Sequence, residues 1–112
     1  MSNDVKLPQF RYNRRRKHYS YIFKRSKGKY YNLLLSSKPT EVKTREKRTV
    51  VYNNVSLTAH PNPNKSNEKQ WIVPKVRKDK DFEKTFGKQL SWSFHPQDKW
   101  KIKKIKKGKW KQ

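Results

Sequence analysis

The sequence predicts a small β-rich domain, all-β or α+β, built as a strongly twisted sheet of about five strands with one or two short helices. Three observations carry this. Aromatic and β-branched residues gather in short runs near residues 19–23, 30–35, 49–58, 70–76 and 90–94, with turn chemistry between them. Periodic helical patterning is confined to short stretches late in the chain. Finally, 112 residues suffice for one domain, and with only 30% hydrophobic residues its core must come largely from four Trp, six Tyr and five Phe.

Residues 1–18 read as a basic N-terminal arm, residues 19–106 as the β-rich domain and residues 107–112 as a basic, flexible C-terminal tail. The run Tyr19-Ser20-Tyr21-Ile22-Phe23 predicts a strand. Ser26-Lys27-Gly28-Lys29 predicts a turn and residues 30–35 a second strand, so the pair makes a hairpin with Gly28 supplying the left-handed dihedral. Residues 41–48 are highly charged and fit either a frayed edge strand or a solvated loop. Residues 49–58 predict a third strand region, with Asn53-Asn54 marking a turn or bulge. Pro61 and Pro63 forbid helix or central strand, so residues 60–67 read as a rigid loop. Residues 70–76 predict a fourth strand that is an edge or ends at Pro74. Residues 79–87 can make one short helix, with Phe82 and Phe86 at i, i+4 and Gly87 as its stop. Leu90, Trp92 and Phe94 alternate onto one face of a fifth strand. Pro96 opens a last element, with Asp98 in its first turn and Trp100, Ile102 and Ile105 as its stripe.

Charge points to the partner. Lys and Arg number 31 against 8 acids, a formal net charge of +23. Such a field attracts polyanions, above all nucleic-acid phosphates, with an affinity that falls steeply with salt. Aromatic residues interleave with the cations, so exposed rings can stack unpaired bases. The expected contacts are Arg14, Arg15, Arg16 and Lys17; Lys24, Arg25, Lys27 and Lys29 at the hairpin tip; and Lys99, Lys101, Lys103, Lys104, Lys106 and Lys107 near the C-terminal end. RNA stands ahead of DNA because no helix-turn-helix pattern is present.

Several classes are excluded or weakened. Without cysteine there is no disulfide framework, thiolate zinc site or Cys nucleophile, which fits a cytoplasmic protein. The first apolar cluster is broken by Lys6, Pro8 and Arg11, so no secretory signal is read, and no apolar run is long enough for membrane insertion. His18, His60 and His95 lack metal-ligand spacing, the acids do not converge, and no phosphate-binding glycine motif occurs, so no metal or cofactor is expected. The candidates for chemistry are Ser36, Ser37 and His60, which together with Lys and Arg could activate a 2′-hydroxyl and stabilise a phosphate without metal. Their plainer roles are turn hydroxyls and a loop-capping ring.

The order of the segments Leu33-Leu34-Leu35-Ser36-Ser37-Lys38-Pro39, Val55-Ser56-Leu57-Thr58-Ala59-His60-Pro61-Asn62-Pro63-Asn64, Gln70-Trp71-Ile72-Val73-Pro74, Phe86-Gly87-Lys88 and Trp92-Ser93-Phe94 resembles small basic proteins of mobile genetic elements. More remotely it resembles the PemK/MazF/ToxN-like toxins. The resemblance implies an SH3-like β-barrel, metal-independent endoribonuclease activity with a hydroxyl at Ser36 or Ser37, and restraint by an acidic antitoxin. Three readings follow: a nucleic-acid-binding protein, a toxin-type endoribonuclease of a toxin-antitoxin system, and a mobile-element inhibitor that acts on a protein partner.

Overall fold

The computed structural model describes residues 6–110. The architecture is β-rich, as the strand runs predicted. β1 (Gln9–Asn13), β2 (His18–Ser26) and β3 (Lys29–Ser36) form an antiparallel meander. β4 (Thr40–Arg45) and β5 (Arg48–Asn53) make a separate two-stranded ribbon, and β6 (Val55–Ser56), β7 (Trp71–Ile72) and β8 (Arg77–Asp79) follow. α1 (Phe82–Thr85) and α2 (Lys99–Lys106) are the two helices. The main sheet runs β1-β2-β3-β7-β6, with β8 also on β3, so the path is that of an open sheet.

The hairpin of β2 and β3 turns through Lys27 and Gly28, both with positive φ, as a two-residue turn requires when its twist matches the flanking strands. Pro74 breaks the fourth strand in two. Val73 N–H still donates to the Leu34 carbonyl at 2.9 Å, but proline has no N–H to continue the ladder, and pairing to β3 resumes at Arg77. Residues 41–48 contribute a regular hairpin rather than frayed chain. Glu46 and Lys47 both take left-handed dihedrals at its tip. Val42 and Val51 pair across this ribbon and are both more than half exposed, so the ribbon lies outside the core.

Four expectations need correction. Residues 9–13, assigned to the arm, are β1, because Phe10 has an apolar face of the sheet to cover; the arm's residues 1–5 lie outside the described residues. Residues 90–94 do not form a laddered strand. Leu90 N–H donates to the Phe10 carbonyl at 2.8 Å, and beyond that bridge the segment crosses the sheet face, where no edge is available to pair with. The proline loop holds one 3-10 turn, Pro63–Lys65, which Asn62 caps by accepting from Asn64 N–H. The C-terminal tail is folded through residue 110: Gly108 N–H donates to Ile105 O and Lys109 N–H to Lys104 O, both at 3.0 Å, with Gly108 at φ 69°. This Schellman closure ends α2 and returns Trp110 to within 5.9 Å of Trp100.

The sheet has two working faces because side chains alternate along each strand. On one, Phe10, Leu33, Leu35, Val55, Leu57 and Ile72 pack with Ile102 and Ile105 of α2. On the other, Ile22, Tyr30 and Phe86 form a smaller cluster beside a buried polar group. Asn13 is in register with His18, and Asn32 with Ile22, yet their side chains meet at 3.1 Å. That contact requires the meander to curl strongly about its second face.

Candidate functional site

A groove of about 880 Å³ opens on the first face, between α2 and the strap of residues 89–96. Its floor is aromatic: Phe10, Tyr21, Trp92 and Phe94. Phe94 meets Phe10 at 4.9 Å and Tyr21 at 4.7 Å between ring centroids, and Trp92 meets Phe10 at 5.9 Å and Tyr19 at 4.8 Å. Trp92, Phe94 and Tyr21 keep part of their surface exposed, so the strap lays two rings over the sheet without sealing them in. Burial pushes the Tyr21 phenol up, which keeps it neutral.

The rim is cationic. Lys99, Lys103, Lys106 and Lys107 line the groove and are exposed. Their spacing, i, i+4, i+7 and i+8, places them along one stripe of α2, while Ile102 and Ile105 turn inward. Among the described residues no acidic side chain pairs with these four. Lys106 Nζ lies 5.6 Å from the centre of Phe23, which extends the aromatic floor toward the hairpin tip.

The helix carrying these lysines is fixed at its start. His95 Nδ1 accepts from Gln97 N–H at 3.1 Å and caps the turn Pro96–Asp98. The Asp98 carboxylate, fully buried, accepts from Thr58 N–H at 2.8 Å and from the Thr58 hydroxyl at 2.7 Å, tying α2 to the chain after β6. Lys101 turns to this anchor: its ammonium donates to Ser56 O at 2.9 Å and lies 3.5 Å from Asp98. Lys104 lies over Trp100, on the side of α2 away from the rim. The expected set of six lysines thus divides into four on the groove and two elsewhere.

The arginine-rich turn between β1 and β2 is largely built into the fold. Arg16 Nε donates to both Asp79 carboxylate oxygens, at 3.1 and 3.0 Å. Asn13 and Asn32 each donate to Asp79 Oδ2 at 3.0 Å, and Asp79 has no exposed surface. Burial alone would push the Asp79 carboxyl up. Hydrogen bonds from Arg16, Asn32 and Asn13, with the Arg16 charge, outweigh it and hold the group below the usual carboxylate range. Arg14 Nη1 donates to the carbonyls of Glu83 at 2.9 Å and Phe86 at 3.2 Å, satisfying the end of α1. Arg15, two-thirds exposed and 3.6 Å from Asp79, and Lys17 are exposed, as is Arg14 despite its bonds to α1.

At the hairpin tip Lys27 and Lys29 are exposed. Lys24 and Lys78 each place an ammonium 5.2 Å from the Tyr31 ring, and Arg25 lies 5.6 Å from Tyr30. Of the three residues nominated for chemistry, Ser36 and His60 hold turns. Ser36 is buried and its Oγ accepts from Lys38 N–H at 3.1 Å, while Ser37 is exposed. His60 Nδ1 accepts from Asn62 N–H at 3.0 Å, so the neutral ring carries its proton on Nε2. Burial lowers the His60 pKa, Glu68 raises it and Lys65 lowers it, with a net downward shift. The ring stands edge-to-face with Trp92 at 5.5 Å, behind the groove floor. Among the described residues no three His, Asp or Glu side chains converge as a metal site.

The groove floor was hidden from sequence reasoning. Phe10 read as arm, and Trp92 and Phe94 read as a strand's core face. The one signal that could have exposed it is the alternation Tyr19, Tyr21, Phe23, which puts more ring surface on one strand face than a small core can cover. No helix among the described residues is long and apolar enough to cross a membrane. Comparisons with protein-family models, with curated proteins and with solved structures find no match to this chain.

Proposed function

We propose that this protein binds nucleic acid, RNA ahead of DNA. One observation carries the reading: four exposed lysines of α2, none paired with an acidic side chain among the described residues, border a groove whose floor is aromatic. Lysine ammoniums neutralise phosphates, and ring faces accept bases, so rim and floor suit the two halves of a nucleotide. The net charge of +23 supplies long-range attraction. Polar anchors at Asp98 and Thr58 hold the stripe in place before any ligand arrives, which reduces the ordering cost of binding.

The test is fluorescence anisotropy with labelled RNA over a salt series. Binding that weakens log-linearly with salt, with a smaller slope in the variant carrying Gln at 99, 103, 106 and 107, supports the reading. Absence of binding to RNA and to DNA at low salt sinks it and turns attention to an acidic protein partner. The same samples held in EDTA check the endoribonuclease reading: RNA cleavage lost on Ser36→Ala/Ser37→Ala or His60→Ala would place chemistry at those residues.

A further inference from the structure

We infer that the groove takes unpaired nucleotides, so that the ligand is single-stranded and is held by stacking on Trp92 and Phe94. This rests on the nucleic-acid reading above and adds the strandedness of the ligand. The argument is geometric. In a duplex the base faces are covered by their neighbours and only phosphates, sugars and groove edges are offered to a protein. A duplex could use the lysine rim but has no flat surface to bring to the floor. The groove runs between α2 and the strap of residues 89–96, whose Trp92 and Phe94 rings line it together with Phe10 and Tyr21 of the sheet. A single strand can direct its bases inward while its phosphates stay at the rim beside Lys103 and Lys106.

Ring contacts extend the floor beyond the groove. Tyr12 meets Tyr19 at 5.1 Å, Tyr19 meets Trp92, Phe94 meets Tyr21, and Tyr21 meets Phe23 at 6.4 Å, which in turn meets Tyr31 at 6.4 Å. This row of rings begins at Tyr12, three residues before the exposed Arg15, and ends at Tyr31, flanked by Lys24 and Lys78. Tyr12 and Tyr19 are exposed aromatic side chains, at 36% and 43%. Aromatic surface left open beside cations at both ends of a groove matches a linear, flexible polyanion with planar side groups.

The experiment compares a labelled single-stranded RNA of about 12 nucleotides with the same sequence annealed to its complement. Binding is read by anisotropy and by tryptophan emission in wild type, Trp92→Phe, Phe94→Leu and Trp100→Phe. The expected result is single-strand affinity at least about tenfold above duplex affinity, the ratio one stacked base supplies. Quenching on binding should fall in Trp92→Phe and persist in Trp100→Phe. Phe94→Leu should weaken the single strand and leave duplex binding unchanged. Circular dichroism of each variant confirms a folded chain, and Trp92→Phe keeps an aromatic ring if larger changes unfold it. Equal affinity for duplex and single strand, or quenching indifferent to Trp92→Phe, overturns the inference while the nucleic-acid reading stands. Binding to neither form overturns both.

Discussion

Two clusters of positive charge look alike in the sequence and have different fates in the fold. Arg14-Arg15-Arg16-Lys17 follows Tyr12 and precedes Tyr19. The α2 lysines surround Trp100 and two isoleucines. In the first, Arg16 directs its guanidinium inward to Asp79, and Arg14, though exposed, donates to α1 carbonyls. In the second, two buried isoleucines fix the helix and four ammoniums stand along a groove. The planar, multi-donor guanidinium can satisfy several buried acceptors at once, whereas the ammonium on its flexible stem remains at the water. Cationic sequence therefore does not equal cationic surface. Here the arginines mainly organise the fold and the lysines mainly present charge.

The sharpest way to break this contrast is at Asp79. Asp79→Ala should cost about 3 kcal/mol in urea unfolding, the lower end for breaking a buried pair, because Arg16 stays a quarter exposed. Arg15→Gln, which removes a mostly exposed partner of the same carboxylate, should cost under about 1 kcal/mol. If the two variants unfold alike, the arginine turn is not the anchor described here.

The complementary change leaves stability nearly intact. Gln at 99, 103, 106 and 107 should lower the slope of log affinity against log salt by about 3 for a single strand. Arg14→Gln should instead shift the urea midpoint and leave that slope nearly unchanged. An equal loss of slope from Arg14→Gln would return the arginine turn to the contact surface. Deleting residues 103–112 cannot make this distinction, since it also removes Ile105 from the core.

Acid adds a third test. The Asp79 pKa is lowered in the folded state, so the unfolded chain binds the proton more readily. Its stabilisation is complete above the ordinary Asp value of about 3.9 and is lost as pH falls through the lower folded value. His60, also lowered, gives a smaller loss as pH falls below about 6.5. Midpoints measured from pH 7 to pH 2 should drop in both windows, and His60→Gln should flatten only the upper one. A small effect is also expected at the end of α2. Gly108→Ala meets no steric obstacle but keeps a left-handed dihedral, so about 1 kcal/mol of stability should be lost.

Much of the fold was legible. The hairpin of β2 and β3 could be read because strand alternation and a Lys-Gly turn agree, and the Phe82–Phe86 contact because both lie within one helical turn. The capping of turns by His60, His95 and Ser36 is equally local. What escaped depends on distant partners. Residues 90–94 carry a strand's alternation but find a sheet face instead of an edge. Phe10 reads as part of a polar arm until β2 gives it a register.

The sequence alone determined the class of the protein, a β-rich domain with a large net positive charge, because propensity and net charge are properties of residues and their near neighbours. The largely aromatic core it also predicted is instead mainly aliphatic: among the described residues ten of the thirteen buried hydrophobic side chains are Ile, Leu or Val, and no Trp is buried. Tertiary structure decided which cations remain available and which rings stay open. Those outcomes depend on Asp79 reaching the arginine turn, on Asp98 reaching Thr58, and on a strap folding across the sheet. They arise from contacts between segments far apart in the chain, and no local pattern records them.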